Sequence, residues 1–297
     1  IRTKLAVGGV VYMSYNTLPG WAGLAPMRYL MTQHAKVLGS AGEGIINRID
    51  DAFHFSERLF ELNPKYLLAN PQAAGQIKKI KEQNRHYLAH EFFNEDWHPM
   101  HFSAIAELLA EAKLEFAAPA TFAGHVDDIN FTAEQRQFLS DIPDATLRET
   151  TKDFILNQQF RKDYWIKGPV KLAPLECALM LRGVRVVLQK PAGEVTLKMQ
   201  AGLGEVYLRE EIYQPIIDLL SNHQVRTIGE IENHFAASGS DSGPKITLAQ
   251  ITQAIVLLLG TNQVALAQDD AVINAVKTQS AALNNLLLEK AKSSNDI

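Results

Sequence analysis

The spacing of apolar residues changes period several times along this chain. Val10, Val11, Tyr12 and Met13 follow a Gly8-Gly9 turn as a short apolar run, which predicts a strand covered on both faces. Ser14, Tyr15, Asn16 and Thr17 then crowd hydrogen-bonding groups where that strand ends, and Pro19-Gly20 turns the chain before Trp21. Over residues 25–38 the period becomes helical through Met27, Leu30, Met31, Ala35 and Leu38, and Gly39, Gly42 and Gly44 end the run. A second helix is expected over 45–62, stopped by Asn63-Pro64. A third follows Pro71 on Ala74, Ile77 and Ile80 and continues through Tyr87 and Leu88 to Phe93.

Asp96-Trp97-His98-Pro99 breaks the pattern, after which Phe102, Ile105, Ala106, Leu108 and Leu109 form an amphipathic stripe. Residues 114–117 read as a short strand and 125–159 as a helical insert broken at Pro143. Over 160–167 strand periodicity puts Phe160, Tyr164 and Ile166 on one face. Beyond Gly168-Pro169 the character changes. Residues 185–189 and 195–199 read as strands joined hairpin-fashion about Pro191-Ala192-Gly193. Helices follow over 213–220, over 227–235 with Thr227 as cap and Glu230 three later, and over 247–259 capped by Thr247. A strand is expected over 263–267. A last helix over 271–290 has Val272, Ala275, Leu283, Leu286 and Leu287 as its apolar face, and 293–297 is expected to be a loose tail.

Composition narrows the function classes. At 297 residues with 46% hydrophobic side chains the chain can bury a core and make two domains. A net charge of −4 gives no positive field to draw nucleic acid or anionic lipid. The single cysteine, Cys177, makes no intrachain disulfide and suits a reducing compartment. No apolar run reaches the ~20 residues of a membrane helix, and no signal-peptide pattern opens the sequence. The expectation is a cytoplasmic protein without nucleic-acid or membrane partners.

GGVVYMSYNTLPGW (8–21), RHYLAHEFFNEDWHPMHFSAIAELLAEAKLEFAAPA (85–119) and DFILNQQFRKDYWIKG (153–168) together resemble the methyltransferase regulatory domain family. That family resembles the C-terminal part of class I S-adenosylmethionine-dependent methyltransferases, including bacterial protein-lysine methyltransferases. The resemblance implies an α/β-derived, predominantly helical fold. Residues 1–168 would hold strands five to seven of a Rossmann-like sheet with helical insertions, and 169–297 a winged-helix-like α+β domain.

The resemblance also implies a glycine loop after a first strand, and none is found. GSAGEG (39–44) follows a predicted helix, whereas a cofactor loop follows a strand and opens a helix. It reads as a helix-terminating loop. The chain is then expected either to be part of a larger S-adenosylmethionine enzyme or to act through a partner, without tight cofactor binding of its own. No catalytic residue is assignable, and the cofactor-binding residues are unknown.

The acceptor side is what the motifs address, because ligands of open α/β sheets bind beyond the carboxyl ends of strands. Tyr15 and Asn16 would orient a methyl-accepting amine and Trp21 would stack on it. His90 or Glu91 would lie at the site's edge as proton acceptor or substrate clamp. His86 and His90, four residues apart on a helix, could share a metal with His98 or His101, but HEFFN lacks the zincin spacing and cysteine ligands are missing, so no metal is expected. In the helix over 247–259, where a DNA reader needs donors, there is no Arg or Lys. The rival to an enzyme portion is a non-enzymatic interaction module. The expected partners are a protein substrate, an N-terminal cofactor-binding domain or a second copy of the chain.

Overall fold

The computed structural model describes residues 1–39, 42, 44–237 and 246–293. In chain order it forms β1 (Val10–Asn16), α1 (Ala25–Val37), α2 (Ile45–Glu61), α3 (Lys65–Ala69), α4 (Ala73–Lys81), α5 (Arg85–His90), α6 (Phe102–Ala110) and β2 (Leu114–Pro119). Then come α7 (Asp127–Asn130), α8 (Ala133–Ser140), α9 (Ala145–Leu156), β3 (Phe160–Lys167), α10 (Pro174–Arg182), β4 (Arg185–Leu188), β5 (Lys198–Ala201) and β6 (Gly204–Tyr207). The chain finishes with α11 (Glu210–Leu220), β7 (Arg226–Thr227), α12 (Ile228–Ala237), α13 (Leu248–Gly260), β8 (Val264–Leu266) and α14 (Asp270–Ala291). Two compact units result: residues 1–120 with 131–170, and residues 121–130 with 171–297. The insert expected over 125–159 is thus divided between them.

In the first unit β3 lies between β1 and β2 and runs antiparallel to both, from Val10 opposite Ile166 to Asn16 opposite Phe160. Period-two alternation sends Trp165 to the face that α6 covers, where its ring stacks on Phe102 at 5.5 Å beside Ile105 and Leu114. The opposite face stays open: Val10 and Tyr12 are each 53% exposed, and Phe160 and Tyr164 are exposed beside them. The expectation of a strand covered on both faces is therefore corrected. One helical layer covers one face, and the polar residues 14–16 continue the strand instead of leaving it as a loop.

A helical core stands apart from that sheet core, built from Met27, Met31 and Ala35 of α1, Ile49, Ala52 and Phe53 of α2, and Ile77 of α4. These fall at the three- and four-residue spacings of amphipathic helices. Gly39 and Gly44 lie between α1 and α2, so the glycine segment does follow a helix; its Ser40, Ala41 and Glu43 are outside the described residues. The long helix expected from Pro71 to Phe93 is broken, because the Asn84 side chain accepts from the backbone N–H of His86 and Tyr87 and starts α5 anew.

In the second unit β4 is flanked antiparallel by β7 and β8, and β5 pairs with β6. The hairpin expected between 185–189 and 195–199 is not formed. Pro191-Ala192-Gly193 enters a 3-10 turn, and β4 finds its partners more than thirty residues on. The core joins Ile212, Ile216 and Leu220 of α11, Ile228 and Ile231 of α12, and Ile251, Ile255 and Leu258 of α13. The expected caps form: Thr227 and Glu230 bond reciprocally, as do Thr247 and Gln250. Neither α10 nor α14 has a buried side chain. The expected loose tail lies outside the described residues beyond Ser293.

Candidate functional site

The carboxyl end of β1 is fixed by main-chain bonds before any side chain is placed. Thr17 is fully buried, its N–H donating to Gln159 O at 2.9 Å and its hydroxyl to Met100 O at 2.8 Å. Gly20 N–H donates to Gln158 O at 3.0 Å, and a Cβ on Gly20 would collide with the backbone of Asn157 and Gln158. Only glycine fits that approach. Trp21 is thereby delivered edge-on to Trp97, ring centroids 5.1 Å apart at 89°.

Behind Trp97 lies Arg28, its guanidinium 4.2 Å from the ring centre and bonded to the Asn94 carbonyl. Burial lowers the Arg28 pKa to about 10. Even so it keeps its charge at neutral pH, and the stack holds as a cation on an aromatic face.

Trp21 and Trp97 help wall a cleft of about 370 Å³, within the size range of small-ligand sites. Its apolar side is Trp21, Leu24, Ile80, Leu88, Phe92 and Trp97. Its polar side is Asn16, Gln76, Lys79, Gln83, Tyr87, Glu91 and Gln159. Gln159 donates to Gly20 O at 3.2 Å. The side chains of Asn16, Gln76, Lys79, Gln83, Tyr87 and Glu91 make no hydrogen bond or ion pair among the described residues. Their bonding capacity is open to a ligand.

Of the five residues singled out by sequence, Asn16, Trp21 and Glu91 line this cleft. His90 ends α5, is exposed and lies outside the lining. Tyr15 points to the other face of the sheet, since neighbours on a strand alternate. Its hydroxyl donates to Asp163 at 2.8 Å. Burial, and then the Asp163 charge, push its pKa far above the usual phenol value, so Tyr15 stays a protonated donor.

Tyr15 belongs to a buried ion cluster. Arg161 bonds Asp163 at 2.8 Å, Asp153 at 2.7 Å and Glu149 at 3.0 Å, with its guanidinium 4.4 Å from the centre of Phe102. Burial alone would lower the Arg161 pKa, but the Asp163 bond and the Asp153 charge outweigh it and raise the value. Asp153 is pushed up to about 6, chiefly by burial against the pull of Arg161, and its Oδ2 has no partner.

Sequence reading missed Trp97, the α4 contribution and this cluster. Gln76, Lys79, Gln83 and Tyr87 recur at three- and four-residue steps, a polar helical stripe that could have signalled the cleft. Among the described residues no three His, Cys, Asp or Glu side chains gather as metal ligands.

Residues 84–167, from the α5 cap to the end of β3, match the family model described as a predicted methyltransferase regulatory domain. Over those residues the chain is similar to that family, and the match takes in the second and third of the sequence blocks that carry the resemblance, with 8–21 outside it. Within the matched residues lie Glu91, Phe92, Trp97 and Gln159 of the cleft, while Asn16 and Trp21 come from outside them.

An uncharacterized protein of Synechocystis sp. is 37% identical over all 297 residues, which span 57% of its length. One from Rickettsia prowazekii is 25% identical over 174 residues, covering 57% of this chain and 30% of its own. Among solved structures, PKMT2 from Rickettsia typhi in complex with AdoHcy matches with a TM-score of 0.60 at 16% identity, over 89% of this chain and 53% of that one. A second structure of PKMT2 matches with a TM-score of 0.58 at 17% identity, over 90% and 53%. The chain thus shares its fold with part of PKMT2 and spans little more than half the length of PKMT2 and of the Synechocystis relative.

β1 leads into α1 through Gly20 and Gly23, but this connection lacks the Gly-x-Gly-x-x-Gly spacing of a Rossmann-type cofactor loop. No helix among them is long and apolar enough to cross a membrane.

Proposed function

We propose that the chain is the acceptor-recognition and regulatory portion of an S-adenosylmethionine-dependent methyltransferase whose acceptor is a protein lysine side chain. The observation that carries this reading is the cleft at the carboxyl end of β1, with aromatic walls and unpartnered polar groups. Glu91, the one carboxylate in the lining, would receive the lysine ammonium. Asn16 would orient the amine once it has lost its proton, and Trp21 with Trp97 would exclude water around the alkyl stem. The donor's cradle would come from a separate cofactor-binding domain. The open face of the sheet and the edge of β1 that β3 leaves unpaired support such a partner, since both need cover.

The second unit supports a winged-helix reading through α11, α12 and α13 followed by β8 in a three-stranded sheet. Its α13 carries no Lys or Arg and buries Ile251, Ile255 and Leu258, which favours protein contact over DNA. A cytoplasmic setting fits the exposed free thiol of Cys177. Calorimetric titration tests the reading. The chain should fail to bind S-adenosylmethionine tightly but should bind lysine-containing peptides, more weakly after Glu91→Gln. Stoichiometric cofactor binding, or equal affinity for peptides without lysine, would overturn it.

A further inference from the structure

Two helices of the second unit have no fully buried side chain. The 22-residue α14 is ~33 Å long and carries Val272, Val276, Leu283, Leu286 and Leu287 at helical spacing, all exposed. Helices in proteins owe most of their stability to packing, so an uncovered apolar stripe of this length needs a partner. The short α10 exposes Leu175, Leu179 and Met180.

Beside α10 runs a groove of about 990 Å³, shared with α13 and the 122–128 segment. Phe122, Ala178, Leu181, Leu248 and Val256 give it an apolar floor. Asp127 and Asp128 are in its lining and no Lys or Arg is. Thr252 also lines it, with a buried hydroxyl that has no partner. The chemistry of the groove asks for an apolar helix that is neutral or weakly cationic. Between residues 271 and 288, α14 bears a single charge, Lys277.

We propose that α14 of one copy docks into this groove of a second copy, and that the exchange is reciprocal. Within its own chain α14 buries no side chain, so the groove is not filled from inside. Stable pairs bury ~800 Å² per partner. A two-fold exchange gives each copy one helix and one groove and doubles the contact.

Sedimentation velocity on the intact chain over a concentration series tests this. The wild type should be a dimer. Leu283→Glu with Leu287→Glu on the helix, and separately Ala178→Glu in the groove, should each weaken association by about tenfold or more, with helical circular dichroism unchanged. A wild type that stays monomeric would overturn the proposal. So would a dimer that survives Ala178→Glu but not the helix variant, because α14 would then pair with α14. Ser280→Cys provides a second readout, since Cys177 is the chain's sole cysteine and lines the groove. Mild oxidation should give a species of twice the mass that Cys177→Ser abolishes; an internal disulfide in a monomer would contradict the exchange.

Discussion

The two faces of the β1–β3–β2 sheet share strands and differ in everything else. On the covered face Phe102 and Phe116 lie against the Arg161 guanidinium, which bonds three carboxylates while Tyr15 donates to Asp163, leaving Asp153 Oδ2 and the Trp165 N–H without partners among the described residues. On the open face Val10, Tyr12, Phe160 and Tyr164 meet solvent, and Asn16 ends at a cleft where, among the described residues, Gln159 alone of the polar lining is hydrogen-bonded through its side chain. Tyr15 and Asn16 are adjacent in sequence, yet one residue step carries the chain from a densely bonded network to an open one. Stability should depend on the first face and recognition on the second.

The sharpest way to break that contrast is Arg161→Met. It would leave Asp153 and Asp163 buried around an uncharged group, with Glu149 still paired to Lys152, and the expected loss is about 3–5 kcal/mol, read as a drop in urea midpoint. A loss below about 1 kcal/mol would mean that the cluster is ornamental.

Asp153 supplies the next largest effect. Its folded pKa of about 6 lies above the unfolded carboxyl value, so the fold takes up a proton. The stabilisation is complete below about pH 4, and is lost as pH rises through about 6. Asp153→Asn should remove this decline and raise stability at pH 7 by about 1–2 kcal/mol; an unchanged pH profile would refute the assignment. Tyr15→Phe should cost about 1–2 kcal/mol through the lost hydrogen bond to Asp163, whose oxygens keep their bonds from Arg161, with peptide binding intact. Asn16→Ala should change stability by less than about 0.5 kcal/mol while weakening peptide binding, which isolates recognition on the open face.

The sequence made some of this legible and concealed the rest for physical reasons. Local chemistry was readable: Thr227 with Glu230 and Thr247 with Gln250 mark helix starts because capping acts within one turn. Asn16, Trp21 and Glu91 were picked out because polar and aromatic groups crowd the strand's end and the α5 terminus, and the fold brings them to one cleft. Alternation along β1 puts Tyr15 on the opposite face from Asn16, and the crowding of polar groups there does not show it. The Arg161 partnership with Asp153 and Glu149 was hidden, since it joins a strand to a helix whose packing no periodicity reports. Strong turn residues at 191–193 suggested a hairpin, but β4 is held by β7 and β8, and such non-local pairing leaves no mark in a short window.

The most direct measurement expresses the chain with whatever coding sequence flanks it and follows labelled methyl transfer from S-adenosylmethionine to protein lysine. Methylated lysine should form, and Asn16→Ala with Glu91→Gln should lower kcat/KM by about tenfold or more at unchanged thermal stability. Transfer undiminished by these two substitutions, or label found on a non-protein acceptor, would contradict the account.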